Sequence, residues 1–94
     1  MRHMNIKKIN FPEVLDSAAF DDLREILADT LPYKSEITID CSASERLSSS
    51  CAQLFAAFLQ ERMRGKFKTK IINVSVSFKA AWRDLGLSEH FVLE

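Results

Sequence analysis

The sequence predicts an α/β domain built on a largely parallel sheet. Strand-like segments (6–11, alternating loosely, 36–41, alternating in period two, and 67–74) take turns with segments of helical apolar spacing. An order of strand, helix, strand, helix, strand, helix is what parallel strands joined by right-handed crossover helices require. Within the last strand segment Ile71 and Ile72 are adjacent and point to opposite faces, which predicts a sheet covered by helices on both sides.

The first strand runs over 6–11, with β-branched Ile6 and Ile9, and Pro12 suits its end. Asp16 or Ser17 then caps a helix whose apolar positions Phe20, Leu23, Ile26, Leu27, Thr30 and Leu31 fall on one face, stopped by Pro32. In the strand 36–41, Ile37, Ile39 and Cys41 share one side, as in a half-buried central strand. Ser42-Ala43-Ser44-Glu45 has capping-box spacing and predicts a tight turn. Ser50-Cys51-Ala52-Gln53 has the same spacing, with Ser50 as the cap and Gln53 reaching back to its N–H. It opens the clearest helix, where Cys51, Leu54, Phe55, Phe58, Leu59 and Met63 form a wide apolar stripe ended by Gly65. Ser75 or Ser77 caps a third helix through Phe78, Ala81, Trp82 and Leu85, closed by Gly86, and Ser88-Glu89-His90-Phe91 forms a last short turn.

With 94 residues, 47% of them apolar, the chain has enough material for one core and no room for a separate catalytic domain. The 13 basic and 13 acidic residues cancel and look interspersed, so neither a nucleic-acid nor an anionic-membrane partner is expected, and protein partners are. The longest apolar run, near 51–59, is too short to span a bilayer. No cleavable leader is read, so the expected location is cytoplasmic. Residues 1–4, with a second methionine at Met4, are left out of functional argument as foreign to the fold or disordered.

Cys41 and Cys51, ten positions apart, form neither a CxxC pair nor, with His3 and His90, a ligand cluster of metal spacing. They read as buried apolar packing, although a thiol at a helix start such as Cys51 is a place where the pKa falls. Gly65 and Gly86 are the only glycines and both are helix stops, which excludes GxGxxG and Walker loops. His90 has no identified Ser, Cys or Asp partner. No enzyme activity, cofactor or metal is expected.

The three hydroxyls of Ser48-Ser49-Ser50 stand where a strand-like run meets the start of the clearest helix. A helix start gathers unpaired N–H groups and a positive dipole end, so an anion is stabilised there. Simple capping explains Ser50, whereas Ser48 and Ser49 have no equivalent need to be hydroxyls. A phosphoryl group added at this point would change a docking surface by about −1.5 to −2 charges without unfolding the helix.

Taken together, Pro12-Glu13-Val14-Leu15-Asp16, the strand Ile37-Thr38-Ile39-Asp40-Cys41-Ser42, the serine turn, and Asn73-Val74-Ser75-Val76-Ser77-Phe78 through Leu85-Gly86-Leu87 resemble a STAS domain, the anti-sigma factor antagonist family. The resemblance spans about residues 12–92. It implies a single STAS-like domain over 1–94 with a mostly parallel central sheet of about four strands flanked by three to four helices. In that family an Asp-Ser-Ser-Gly turn opens the helix and its first serine is phosphorylated by a partner kinase. Here Ser48 stands at the Asp place, Ser49 at the phosphoacceptor place, Ser50 at the second serine and Cys51 at the glycine. The stretch Cys51-Ala52-Gln53-Leu54 also resembles small STAS proteins associated with bacterial chemotaxis clusters.

The expectation is therefore a cytoplasmic bacterial signalling protein. It binds an anti-sigma factor, serine kinase or histidine-kinase-like protein through the turn at 48–53, with Ser48, Ser50, Cys51 and Gln53 shaping the surface and Ser49 as phosphoacceptor. The alternative is a STAS adaptor that is never phosphorylated and packs permanently in a chemotaxis or lipid-transport complex. A large exposed apolar patch would favour that alternative.

Overall fold

The structure, a computed structural model, describes residues 7–89; Ile6, His90 and Phe91 of the expected elements lie outside them. In chain order the elements are β1 (Lys7–Asn10), β2 (Val14–Leu15), α1 (Phe20–Thr30), β3 (Ile37–Asp40), β4 (Arg46–Leu47), α2 (Ser49–Arg64), β5 (Thr69–Ile72), α3 (Val76–Asp84) and a 3-10 turn at Leu87–Glu89. The alternation of strand and helix is as expected. The sheet appears as three parallel strands in the order β1-β3-β5, with a separate parallel pair β2-β4. Both β2 and β4 are two residues long, too short to carry an alternation pattern.

Register explains which side of the sheet is buried. Ile9, Ile37 and Ile39 lie buried with Ile71 half-buried beside them, all facing the helices. Lys8, Thr38 and Lys70 form one row on the opposite face, and Asn10, Asp40 and Ile72 form the next. Among the described residues no layer covers that face, so the expected sheet with helices on both sides is a two-layer arrangement instead. The polar alternation of β1 and β3 permits this, since only Ile72 breaks it, at the edge strand. Ion pairs of Lys8 with Asp40 (3.5 Å) and Lys68 with Glu36 (3.8 Å) bridge neighbouring strands on this side.

The core centres on Phe55 of α2. Its ring meets Phe11 and Trp82 edge to face, at centroid distances of 5.0 and 5.6 Å, and lies 6.5 Å from Phe58. Such pairs contribute about 0.5–1.5 kcal/mol each beyond the burial of the rings. Leu23, Leu27 and Thr30 are the buried side of α1; the Thr30 hydroxyl donates to the Ile26 carbonyl at 2.6 Å and so enters the core satisfied.

The buried stripe of α2 runs Cys51, Ala52, Phe55, Phe58, Leu59 and then Arg62, whereas Met63, expected in the stripe, is 62% exposed. Arg62 is 1% exposed and, among the described residues, makes no ion pair with a carboxylate. Its guanidinium donates to the carbonyls of Tyr33, Ser35 (3.0 Å) and Lys68 (2.9 Å) and to the Thr69 hydroxyl (2.9 Å), and it stacks on the Phe67 ring. A planar fork of five donors can serve several acceptors at once, and here it ties the loop before β3 to the loop before β5. Burial lowers the Arg62 pKa from its ordinary value.

Candidate functional site

Every strand of the three-stranded sheet ends on the side where α2 begins, so the serine cluster belongs to the carboxyl edge of the sheet. In open parallel sheets this edge is where ligands and partners are met. Three connections build it. The Ser44 hydroxyl, fully buried, donates to the Pro12 carbonyl at 2.6 Å. The Ser75 hydroxyl donates to the Ser44 carbonyl at 3.2 Å while accepting the Phe78 N–H at 3.0 Å as the cap of α3. The Glu45 N–H donates to Glu13 at 2.9 Å and the Ser48 N–H to Leu15 at 2.7 Å, which extends the β2-β4 pairing to the first turn of α2.

That pairing sets the phase of the helix. Ser48, in extended conformation (φ −80°, ψ 161°), is the cap, and its hydroxyl accepts the Cys51 N–H at 3.3 Å. The expected box of Ser50 with Gln53 does not form, because the chain is already helical at Ser49. Ser50 lies one position further in, exposed, its hydroxyl 3.2 Å from that of Ser48. Ser49 is the first helical residue and is exposed. No acidic side chain lies in this first turn. Its dipole end and early N–H groups therefore face solvent without an internal carboxylate to neutralise them.

Cys51 points inward. It is fully buried, and its thiol donates to the Asp16 carbonyl at 3.3 Å, fastening the start of α2 to the segment before α1. Asp16 itself acts one turn earlier than a helix cap: its carboxylate accepts the N–H groups of Ala18 (3.0 Å) and Ala19 (3.2 Å), and α1 proper starts at Phe20. Gln53 is exposed further along α2, where it lines a shallow groove with Ala56, Ala57, Gln60, Met63, Arg64 and Leu87. The structure thus places Ser48, Ser49, Ser50 and Cys51 in one turn and Gln53 on the flank beside it.

The Ser42 to Glu45 box also takes another form. The Asp40 carboxylate accepts the Ser42 N–H at 2.9 Å, the Ser44 N–H donates to the Cys41 carbonyl, and Asn73 donates to Asp40 at 3.3 Å from a left-handed backbone (φ 59°). The Ser42 backbone bond, then the Ser42 and Asn73 side chains, hold the Asp40 pKa down at about 2. Burial, with a smaller contribution from the Asp40 charge, pushes the neighbouring Cys41 thiol up to about 12. Both cysteines are free and buried.

Among the described residues no group of three or more His, Cys, Asp or Glu side chains could hold a metal ion, and no described helix is long and apolar enough to cross a membrane. Sequence reasoning missed Ser44 and Arg62. A serine two residues before a strand and an arginine late in a helix carry no local mark of burial, since their partners include Pro12 and Tyr33, 32 and 29 positions away. No protein-family model matches this chain, and no curated protein matches it in sequence.

Proposed function

We propose that this chain is a bacterial signalling protein of STAS-like architecture, a binding protein rather than an enzyme. It meets a kinase-like regulatory partner in the cytoplasm through the first turn of α2. Ser49 is the phosphoacceptor. The observation that carries this reading is the division of labour among the three serines: the Ser48 hydroxyl caps the helix and lies within hydrogen-bond distance of Ser50, while Ser49 has an exposed side chain at the first helical position. A phosphate there adds about −1.5 to −2 charges beside unneutralised helix N–H groups, so it is tolerated by the fold. A partner that packs dry against the neutral turn is repelled by the same charge.

A second reading draws on the flank of α2. Its groove, bordered by Ala56, Ala57 and the exposed Met63, suits a permanent contact within a chemotaxis or lipid-transport complex, with no phosphate cycle.

The two separate in one experiment. The chain is incubated with extract of its native cell and ATP, phosphate is mapped by mass spectrometry, and partners are captured with wild type, Ser49→Ala and Ser49→Asp. Phosphate on Ser49, with a kinase-like protein retained by wild type and Ser49→Ala and lost by Ser49→Asp, supports the switch. An unmodified Ser49 with equal capture by all three baits overturns it in favour of permanent assembly.

A further inference from the structure

We infer that the amino-terminal edge of the sheet, opposite Ser49, docks on an anionic lipid bilayer. The net charge of zero conceals a strong separation: between Glu61 and Asp84 there are seven basic residues and no acidic one. The topology then gathers cations at one edge. Lys34 lies in the loop entering β3, and Lys66 and Lys68 lie in the loop entering β5; all three are exposed. Lys7, at the start of β1, stands 5.9 Å over the Tyr33 ring. Arg62 fixes this arrangement from below, because its guanidinium binds the carbonyls on either side of Lys34, at Tyr33 and Ser35, and that of Lys68.

The balance of charge at this edge is positive. Among the described residues Lys7, Lys34, Arg62, Arg64, Lys66 and Lys68 face Asp29, Glu36 and Glu61 here; Glu36 is paired with Lys68 and Glu61 with Arg64, while Lys7, Lys34 and Lys66 make no ion pair. Met63, 62% exposed, stands beside Arg64 and Lys66 as an apolar contact within the basic edge. At the other end the exposed Glu13, Asp16, Asp21, Asp22 and Glu45 gather around the starts of β2, α1 and β4. A molecule with no net charge and a large charge separation gains little from a small dispersed anion but orients in the field of a charged plane. Lysine ammoniums around a protruding methionine match the headgroup charge and the acyl interior of an anionic bilayer, and the half-buried Tyr33 and Phe67 rings at this edge are engaged by Lys7 and Arg62 rather than open to stacking bases. In this orientation the acidic end and Ser49 face away from the bilayer, open to a partner.

The test is cosedimentation of the full chain with vesicles of phosphatidylcholine alone, or of phosphatidylcholine and phosphatidylserine in equal parts. The expected result is binding to the acidic vesicles only, weakened by salt. Each lysine removed should weaken it about fivefold, so that Lys34→Gln/Lys66→Gln/Lys68→Gln loses about a hundredfold. Lys79→Gln, in the first turn of α3 beside the carboxyl edge, should bind as wild type does. Circular dichroism of each variant confirms that it is folded. No sedimentation with acidic vesicles, equal sedimentation with neutral ones, or equal loss in the α3 variant overturns the inference, and none of these outcomes bears on phosphorylation of Ser49.

Discussion

The Ser48 hydroxyl accepts the Cys51 N–H at 3.3 Å, and this bond decides the roles of three adjacent serines. It begins α2 at Ser49, turns Cys51 into the core toward the Asp16 carbonyl, and leaves the Ser49 side chain in solvent. Had Ser50 been the cap, Ser49 would lie outside the helix and its N–H would not belong to the first turn.

Ser48→Ala should therefore cost about 1 kcal/mol of stability, the usual loss for a serine cap. Ser50→Ala should change stability by less than about 0.5 kcal/mol, as for an exposed helical position without a capping role. Urea titrations of the two variants at one pH measure the difference directly. A larger loss in Ser50→Ala would place the cap where the spacing of Ser50 and Gln53 suggests it.

Ser49→Asp should stabilise the isolated protein, by about 0.3–1 kcal/mol at low ionic strength, because it supplies the missing negative charge in the first turn of α2. Salt should erase the gain. Thermal unfolding at low and high salt reads it. The measurement matters for the partner experiment, since a Ser49→Asp bait that is more stable than wild type and still loses its partner has lost it at the surface.

Much of this architecture is legible in the residues, and the failures have a common cause. The inward side of β3, read from the alternation of Ile37, Ile39 and Cys41, is buried as expected, and Ser75 caps α3 as one of two candidates. These features depend on neighbours within a few positions. The phase of α2 depends on Leu15, which receives the Ser48 N–H from a strand of two residues, and no local pattern announces such a strand. Three serines in a row satisfy three capping registers, so the tertiary bond chooses. Arg62 fails to read as core for the same reason: a charge is placed in solvent unless its acceptors are known, and two of them, the Tyr33 and Ser35 carbonyls, lie 29 and 27 positions away.

Replacement of Arg62 should be among the most damaging single changes in the chain. Arg62→Ala takes the guanidinium donor from the Tyr33 and Ser35 carbonyls and one of two donors from the Lys68 carbonyl, which keeps the Ile37 N–H, and it opens space beneath Phe67. With unsatisfied buried acceptors costing about 1–3 kcal/mol each and some regaining water, a loss of about 3 kcal/mol is expected. Arg62→Lys should recover only part of it, because an ammonium is a point donor that cannot span carbonyls on two loops. Denaturation midpoints of the two variants test both magnitudes, and hydrogen exchange should show the loops entering β3 and β5 opening first.

Asp40 and Cys41 place opposite limits on the pH range of the fold. The Asp40 pKa is lowered from 3.8 to about 2, chiefly by the Ser42 N–H, so the unfolded chain takes up this proton before the folded one does. Its contribution is complete above about pH 4 and disappears as pH falls through about 2. For Cys41 the folded pKa is raised from 9.0 to about 12, chiefly by burial, so the unfolded chain releases its proton first. Stability falls as pH rises from about 9 toward 12. Denaturation midpoints followed across both ranges should show Asp40→Asn flattening the acid limb alone and Cys41→Ala flattening the alkaline limb alone. An acid limb unchanged in Asp40→Asn would mean that the Ser42 and Asn73 bonds do not hold the carboxylate in solution, and the turn joining β3 to β4 would then owe its shape to the Ser44 bonds instead.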